Sequence, residues 1–271
     1  MKTLAVSGAG GIQLHVLEAG NPVGRPIVFI HGFSQCSLAW TRQLTSDLGA
    51  DFRLIAMDLR GHGRSDKPRE GYGDSKLWAD DIHAVLQTLR TEHPLICCWS
   101  YGLTVLDYIR YYGTDAIAGL HLVGAITKLG SDDALSVITP EALRVVPGLF
   151  ATDVVESVRN LETFLRMCFT RSLSTEDLYL MLGYNMVVAP YVRQALFSRS
   201  IDNDDLLAKI RKPVLITHGA DDAVVTLAAV DRHKALLPHA EIDIMPDVGH
   251  APFWDDAAAF NGRLRAFAQK L

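Results

Sequence analysis

Long apolar runs and an excess of basic residues are both missing from this sequence. No stretch of about 18 consecutive apolar residues occurs, so we expect no membrane-spanning segment and no membrane partner. The 26 basic residues are fewer than the 31 acidic ones. The resulting net charge of −5 argues against a nucleic-acid partner, which would require a basic surface. No long apolar segment precedes Gly8, so we expect no secretory signal and a cytoplasmic location.

Cysteine is also scarce. The four cysteines, Cys36, Cys97, Cys98 and Cys168, do not have the spacing of a metal-binding motif. Cys97 and Cys98 are adjacent, and neighbouring residues of a strand point to opposite faces of a sheet, so we expect no bond between them. We therefore predict reduced, mostly buried thiols in a cytoplasmic protein, and neither a metal nor another cofactor.

The 271 residues, of which 49% are hydrophobic and 21% charged, are enough for one large core. Apolar runs alternate with stretches of helical periodicity along most of the chain. The predicted strands cover 12–18, 27–30, 52–57, 95–99, 120–126, 214–218 and 240–245, and the predicted helices cover 37–48, 75–89, 103–112 and 256–271. This alternation, with continuously apolar strands, predicts an α/β fold with a mostly parallel central sheet flanked by helices.

The alternation stops between about residues 130 and 208. Helical periodicity is clearest there over 154–169 and 175–186, and no convincing strand is present. A single crossover needs only about a dozen residues, far fewer than this segment contains. We predict a core of residues 1–129 and 209–271, with a helical cap, residues 130–208, inserted over the carboxyl edge of the sheet. A set of ordinary crossover helices is the alternative.

A single serine follows the apolar strand at 95–99. Ser100 stands between that strand and the helical pattern that starts at Leu103, which is the setting of a nucleophile elbow. The usual pattern is G-x-S-x-G; Gly102 is present here, but Cys98 replaces the leading glycine. The alternative is a structural serine in the same place. The residues that follow the other predicted strands distinguish the two interpretations.

A serine hydroxyl near neutral pH needs a base, and the base in turn needs an orienting carboxylate. His250 follows the last predicted strand, between Gly249 and a proline two residues later, and is the candidate base. Asp222 follows the strand at 214–218 and is the candidate carboxylate; we favour it over its neighbour Asp221. The order serine, aspartate, histidine along the chain is the one expected for this type of elbow.

An oxyanion formed at the attacked carbonyl would need backbone N–H donors. Tyr101, directly after the serine, is the first candidate. Phe33 is the second, since Gly32 allows a tight turn after the strand at 27–30. We interpret His31 as a buried structural residue.

Five motifs in this order resemble the α/β-hydrolase superfamily: 29–33, 58–66, the Ser100 turn, 219–222 and Gly249-His250. Within it, the chain resembles a capped branch of small serine esterases, perhydrolase-like enzymes and carbon–carbon bond hydrolases. The resemblance implies Ser100, Asp222 and His250 as a triad and the Phe33 and Tyr101 N–H groups as an oxyanion hole. It implies only a structural part for 58–66. Cys98, and Leu103 in place of a second glycine, depart from the pattern.

These residues predict a serine hydrolase that cleaves a small carboxylic ester through an acyl-enzyme. The alternatives are perhydrolysis or carbon–carbon cleavage on the same triad, and a non-catalytic ligand-binding protein. We expect a small ester or other acyl compound as the partner. Assembly into a homo-oligomer is left as an open alternative. The predicted pocket lies between cap and sheet edge. Its candidate lining residues are Phe150, Phe164, Met167, Met181, Met186 and Trp254.

Overall fold

Ten strands form two sheets in a computed structural model that describes residues 1–271. The strands are β1 (Lys2–Ser7), β2 (Gln13–Gly20), β3 (Arg25–Ile30), β4 (Phe52–Met57), β5 (Leu95–Trp99), β6 (Gly119–Val123), β7 (Lys128–Leu129), β8 (Ile201–Asp202), β9 (Val214–Gly219) and β10 (Glu241–Met245). The main sheet has the order β1-β2-β4-β3-β5-β6-β9-β10, and β7 pairs with β8 in a small separate sheet.

The main sheet is mostly parallel. The pairs β1–β2 and β2–β4 are antiparallel, and every pair from β4 to β10 is parallel. Every residue of β5, β6 and β9 is buried, because both faces of these central strands are covered. This architecture confirms the α/β fold with a mostly parallel sheet flanked by helices.

Thirteen α-helices accompany the sheets. They are α1 (Thr41–Leu44), α2 (Leu48–Asp51), α3 (Ser75–Thr88), α4 (Thr104–Tyr112), α5 (Asp132–Leu135), α6 (Pro140–Val145), α7 (Val154–Met167), α8 (Thr175–Met186), α9 (Pro190–Phe197), α10 (Asp204–Leu207), α11 (Ala228–Leu236), α12 (Pro252–Asp255) and α13 (Ala257–Ala268). Short 3₁₀ turns occupy Ala9–Gly11, Ser37–Trp40, Ser100–Leu103 and Val146–Phe150. None of the helices combines the length and the apolar character needed to cross a membrane.

Helices α5 to α10 all lie between β6 and β9 along the chain, and we call residues 130–208 the inserted segment. Its longer helices begin where the sequence supplies a capping side chain. Asp153 accepts a hydrogen bond from the N–H of Glu156 at the start of α7, and Ser174 accepts one from Asp177 at the start of α8. Such a cap satisfies a backbone donor that the first helical turn leaves free.

The structure corrects several expected boundaries. The helix expected over 37–48 is wrong as one element, because 3₁₀ turn Ser37–Trp40, α1 and α2 divide this region. Strand β1 was not expected, since its half-exposed residues lack a dense apolar run. The inserted segment was expected to contain no strand, yet β8 pairs with β7 just before it. A strand of two residues has too few side chains to produce a recognisable alternation.

The register of the parallel strands aligns their carboxyl ends. Ile30 of β3 pairs with Cys98 of β5, Trp99 of β5 with Val123 of β6, and Val123 with Thr217 of β9. The loops that follow β3, β5, β6 and β9 therefore start from one edge of the sheet. Open parallel sheets bind ligands at this edge.

Candidate active site

Ser100 occupies a strained turn at the end of β5. Its φ of 53° lies in the left-handed region, which non-glycine residues rarely adopt. Gly102 allows this turn, since a Cβ built on it would lie 2.7 Å from the Cβ of Cys98. The small Cys98 side chain thus fits where a leading glycine is usual, because position 102 carries no side chain.

His250 reaches Ser100 from the loop after β10. Its Nε2 lies 2.9 Å from Ser100 Oγ, and its Nδ1 lies 2.7 Å from Asp222 Oδ2. A carboxylate only accepts hydrogen bonds, so Nδ1 carries the proton and Nε2 is free to accept from the serine hydroxyl. His250 and Asp222 are almost completely buried, which protects both bonds from competition by water.

Asp222 is held by its own turn. Its Oδ1 accepts hydrogen bonds of 2.8 Å from the N–H groups of Val224 and Val225. Burial opposes the ionisation of Asp222, but the neighbouring imidazoles of His250 and His218 more than offset this and hold the pKa of the carboxyl well below its usual range. Asp222 is therefore a carboxylate at neutral pH.

A second histidine contacts the same carboxylate. His218 Nε2 lies 3.2 Å from Asp222 Oδ2 and 2.9 Å from the carbonyl oxygen of Val225. Burial favours the neutral imidazole, yet the contact with Asp222 raises the pKa of His218 above its usual value. His218 was not predicted as a site residue, because a histidine within an apolar strand carries no signal of its own.

Three contacts hold the loop that carries His250. Trp99 Nε1 donates to the carbonyl oxygen of His250 at 2.7 Å, and the buried Asp255 accepts from the Gly249 N–H at 2.9 Å. Gly124, with a φ of 48°, packs against the imidazole, and a Cβ built there would lie 3.2 Å from Nδ1. These contacts restrict the imidazole to the position in which it bonds Ser100.

The inserted segment contacts this loop directly. The carbonyl oxygen of Cys168, just after α7, accepts from the Ala251 N–H at 3.0 Å. Asp255 also accepts from the N–H and the hydroxyl of Thr170, each at 3.1 Å. The end of α7 and the loop that carries His250 are therefore bonded to each other.

The two residues predicted to supply the oxyanion donors, Phe33 and Tyr101, lie beside Ser100 in the structure. Their function as an oxyanion hole stays a prediction. The Phe33 N–H donates to no other group of the protein, and the Tyr101 N–H lies in the first turn of a 3₁₀ helix, where no intrahelical acceptor exists. Gly32 brings the first loop close, since a Cβ built on it would lie 3.1 Å from the Cβ of Ser100. Phe33 and Tyr101 thus flank the serine, with ring centroids 6.1 Å apart.

A small cavity of about 40 Å³ opens at Ser100. Apart from Ser100, all of its lining residues are apolar, and they include the aromatic residues Phe33, Phe164 and Phe197. The ring of Phe33 meets the rings of Phe164 and Phe197 edge-on, at centroid distances of 6.4 and 5.1 Å. Such a lining favours an apolar group of a few heavy atoms beside the serine.

Of the six pocket residues expected from the sequence, only Phe164 lines this cavity. Phe150 lies behind it, with its ring 5.7 Å from that of Phe197. Trp254 lies under the guanidinium of Arg42 at 4.4 Å. Met181 is buried, while Met167 and Met186 are partly buried against the core. Helical periodicity identifies apolar residues but not the neighbour each one faces, so it could not separate these cases.

The cavity also contains residues that sequence analysis missed. Ile126 follows β6, Phe197 ends α9, and Val224 and Val225 belong to the turn that holds Asp222. Only the position of the two valines, two and three residues after the predicted aspartate, offered a signal in the sequence. No group of three or more His, Cys, Asp or Glu side chains is placed to share a metal ion.

Comparison with known proteins adds three relatives. A sequence profile described as the alpha/beta hydrolase family matches residues 27–263. The crystal structure of an esterase, RhEst1 from Rhodococcus sp. ECU1013, superimposes with a TM-score of 0.94 at 37% identity and covers 100% of both chains. A bifunctional esterase/perhydrolase, DCH of Acinetobacter calcoaceticus, is 27% identical over 95% of this chain and 96% of its own. A non-heme chloroperoxidase, CPO-A1 of Kitasatospora aureofaciens, is 28% identical over 96% of this chain and 97% of its own.

Proposed function

Because this chain belongs to the alpha/beta hydrolase family of enzymes, we propose that it is a serine esterase that cleaves short-chain carboxylic esters through an acyl-enzyme. One observation carries the proposal. Ser100, His250 and Asp222 form an unbroken chain of hydrogen bonds of 2.9 and 2.7 Å at the carboxyl edge of the sheet. The esterases among the relatives support an ester as the substrate.

In the first step, Ser100 Oγ attacks the ester carbonyl carbon and its proton passes to His250 Nε2. Asp222 stabilises the imidazolium that forms, because its carboxylate accepts from Nδ1 at 2.7 Å. The carbonyl oxygen becomes an oxyanion, and the Phe33 and Tyr101 N–H groups donate to it. One such donor lowers the barrier by about 3 kcal/mol.

The tetrahedral intermediate then collapses. The bond between the carbonyl carbon and the alcohol oxygen breaks, and His250 Nε2 returns its proton to the leaving alcohol. Water next attacks the acyl-enzyme while His250 takes one of its protons. Ser100 leaves with that proton, and the carboxylic acid is released.

The cavity at Ser100 supports a small acyl group. Its volume of about 40 Å³ and its apolar lining suit a short hydrocarbon chain and offer no partner to a charged one. The alcohol part of the ester faces the remaining opening towards solvent. The partner that we propose is therefore a short-chain ester of a compact apolar acid.

Perhydrolysis is a second candidate, because two relatives are named an esterase/perhydrolase and a chloroperoxidase. The acyl-enzyme would then transfer its acyl group to hydrogen peroxide instead of water and release a peracid. The same three side chains serve both acceptors. The ratio of the rate of peracid formation to the rate of ester hydrolysis distinguishes the two activities.

Aryl esters from acetate to octanoate test the proposal, with and without hydrogen peroxide. Wild-type protein is expected to release the aryl alcohol fastest with the shortest acyl chains. Ser100→Ala is expected to lose activity by about 10⁴-fold or more, because the covalent step is impossible without the hydroxyl. A phosphonate ester probe should label Ser100 once per chain.

Ser136→Ala is the matched control, since Ser136 is exposed on the inserted segment and its hydroxyl bonds only the carbonyl oxygen of Asp133. It is expected to retain wild-type activity. A Ser100→Ala variant with wild-type turnover would overturn the proposal. Wild-type protein that binds esters but never turns them over would instead support a ligand-binding protein.

A further inference from the structure

One oxygen of Asp222 faces two imidazoles. Oδ2 lies 2.7 Å from His250 Nδ1 and 3.2 Å from His218 Nε2, while Oδ1 accepts two backbone N–H groups. A triad needs only the first of these contacts. The second comes from the end of β9, four residues before Asp222, and both side chains are about 1% exposed.

The proton on His218 can be assigned from its partners. Nε2 lies 2.9 Å from the Val225 carbonyl oxygen, which only accepts, so Nε2 must be protonated. The same N–H therefore points at both the carbonyl of Val225 and the carboxylate of Asp222. Val225 in turn donates its own N–H to Asp222 Oδ1, so residues 218, 222 and 225 form a closed set of bonds.

The other groups around this set are either neutral or held by partners of their own. The carboxylate of Asp255 accepts hydrogen bonds from the N–H groups of Gly249 and Thr170. His233 of α11 lies nearby with Nε2 3.1 Å from Thr127 Oγ1, and burial lowers the pKa of His233 to about 4. Cys168 of the inserted segment faces Asp222, and burial raises the pKa of its thiol well above its usual value. Arg232, beside His233, is paired with Asp133 at 2.6 Å. Asp222, His218 and His250 are thus the charge-bearing groups that set the local balance.

We propose that His218 is a positioning residue that acts through Asp222, where its N–H shares the charge of Oδ2 and thereby limits how strongly Asp222 stabilises the imidazolium of His250. This inference rests on the proposed triad function. The reason is electrostatic. A carboxylate whose charge is divided among four donors stabilises an imidazolium less than one with three donors. We therefore expect the contact from His218 to extend the activity of the triad into more acidic solution.

Removal of the His218 donor should reverse this effect. In His218→Leu, Asp222 concentrates its charge on His250 and stabilises the imidazolium more strongly. The acid limb of the profile of kcat/KM against pH is expected to move upward by about one unit, which means about tenfold less activity in the acid range. The plateau at higher pH is expected to change by less than about threefold.

Two further variants test this explanation: His218→Gln as a conservative replacement and His233→Gln as a matched control. A glutamine at 218 can still donate an N–H towards Asp222 but cannot titrate, so it is expected to restore most of the wild-type profile. His233 is equally buried and hydrogen-bonded but does not contact Asp222, so His233→Gln is expected to leave the acid limb unchanged. If the loss of a buried histidine acted only by disturbing the structure, substitutions at 218 and at 233 would shift the acid limb alike.

Nitrogen-15 NMR of histidine-labelled wild-type protein gives a readout independent of activity and of variant folding. His218 is expected to carry its proton on Nε2 at neutral pH. A proton on Nδ1 alone would overturn the inference, as would a folded His218→Leu variant with the wild-type acid limb. Activity that survives Ser100→Ala would contradict the proposed function instead, so the two failures can be distinguished.

Discussion

The Cα of Gly102 lies against the Cβ of Cys98, and this contact closes the turn that carries Ser100. A Cβ on residue 102 would come within 2.7 Å of the Cys98 Cβ, closer than carbon atoms can approach without a shift. The departure from G-x-S-x-G at position 98 is therefore compatible with the turn only while position 102 is glycine.

Gly102→Ala should destabilise the protein by about 1–3 kcal/mol, since the added methyl group overpacks the turn. It should also lower kcat, because the shift displaces Ser100. Cys98→Gly removes the obstructing Cβ, so the double variant Cys98→Gly/Gly102→Ala is expected to recover part of both losses. Urea unfolding and ester hydrolysis measure the two effects. A Gly102→Ala variant as stable and active as wild type would contradict this interpretation of the turn.

Gly124→Ala should reduce kcat by about tenfold or more, because its methyl group would press on the imidazole of His250 at 3.2 Å. Gly10→Ala is the matched control. Its φ of 71° also lies in the left-handed region, where a side chain costs about 1–2 kcal/mol, but no atom lies within 4 Å of the added Cβ. Steady-state kinetics should show different kcat values for the two variants, whereas their melting temperatures should be similar. Equal kcat values would show that the imidazole tolerates displacement.

Phe164→Ala should shift the preference towards longer acyl chains. Phe164 closes the cavity at Ser100 from α7, and its loss opens space for additional methylene groups, each worth about 0.8 kcal/mol when buried. The ratio of kcat/KM for hexanoate to that for acetate is expected to rise severalfold. Met167→Ala, on the same helix but outside the cavity lining, should leave this ratio unchanged. A larger shift from Met167→Ala would place the acyl group elsewhere.

Asp58 should make stability depend on pH in the acid range. Burial opposes its ionisation, but the hydrogen bond from His15, the nearby imidazole of His31 and the hydrogen bonds from Ser37 and Arg64 more than offset this and lower the pKa of Asp58 to about 2. A carboxyl with a lowered folded-state pKa adds stability above its unfolded pKa of about 3.9 and loses it as the pH falls. The contribution is about 2 kcal/mol at neutral pH and disappears between about pH 4 and pH 2.

The free energy of unfolding, measured at several pH values, checks this dependence. The difference between wild type and Asp58→Asn should be largest at neutral pH and should shrink on acidification below about pH 4. Asp115→Asn removes an exposed carboxyl and is expected to change little at any pH. A difference that stays constant down to pH 2 would show that the ionisation of Asp58 does not stabilise the fold.

The sheet and the strand-end residues were predictable because each has a local signature. Dense apolar runs marked β3, β4, β5 and β9, and the positions of Ser100, Asp222 and His250 after strands placed them at one edge. The structure brings these three side chains into hydrogen-bond contact. Their catalytic function stays a proposal.

Other parts of the site depend on three-dimensional packing that no local pattern records. Met181 and Phe164 are both buried apolar residues of helices in the inserted segment, but only Phe164 lines the cavity at Ser100. The contact between Gly124 and His250 joins residues far apart in sequence. In the sequence His218 resembles any other buried strand residue, and only the fold brings it into contact with Asp222.

The bond between the Cys168 carbonyl and the Ala251 N–H bears on how this family can be recombined. Residues 130–208 could be regarded as a module to be exchanged among relatives for a new specificity. Here such a graft would also remove an anchor of the loop that presents the general base. In a functional chimera, the end of α7 from the donor and residues 249–255 of the recipient would have to be chosen together, so that the bond between them is kept.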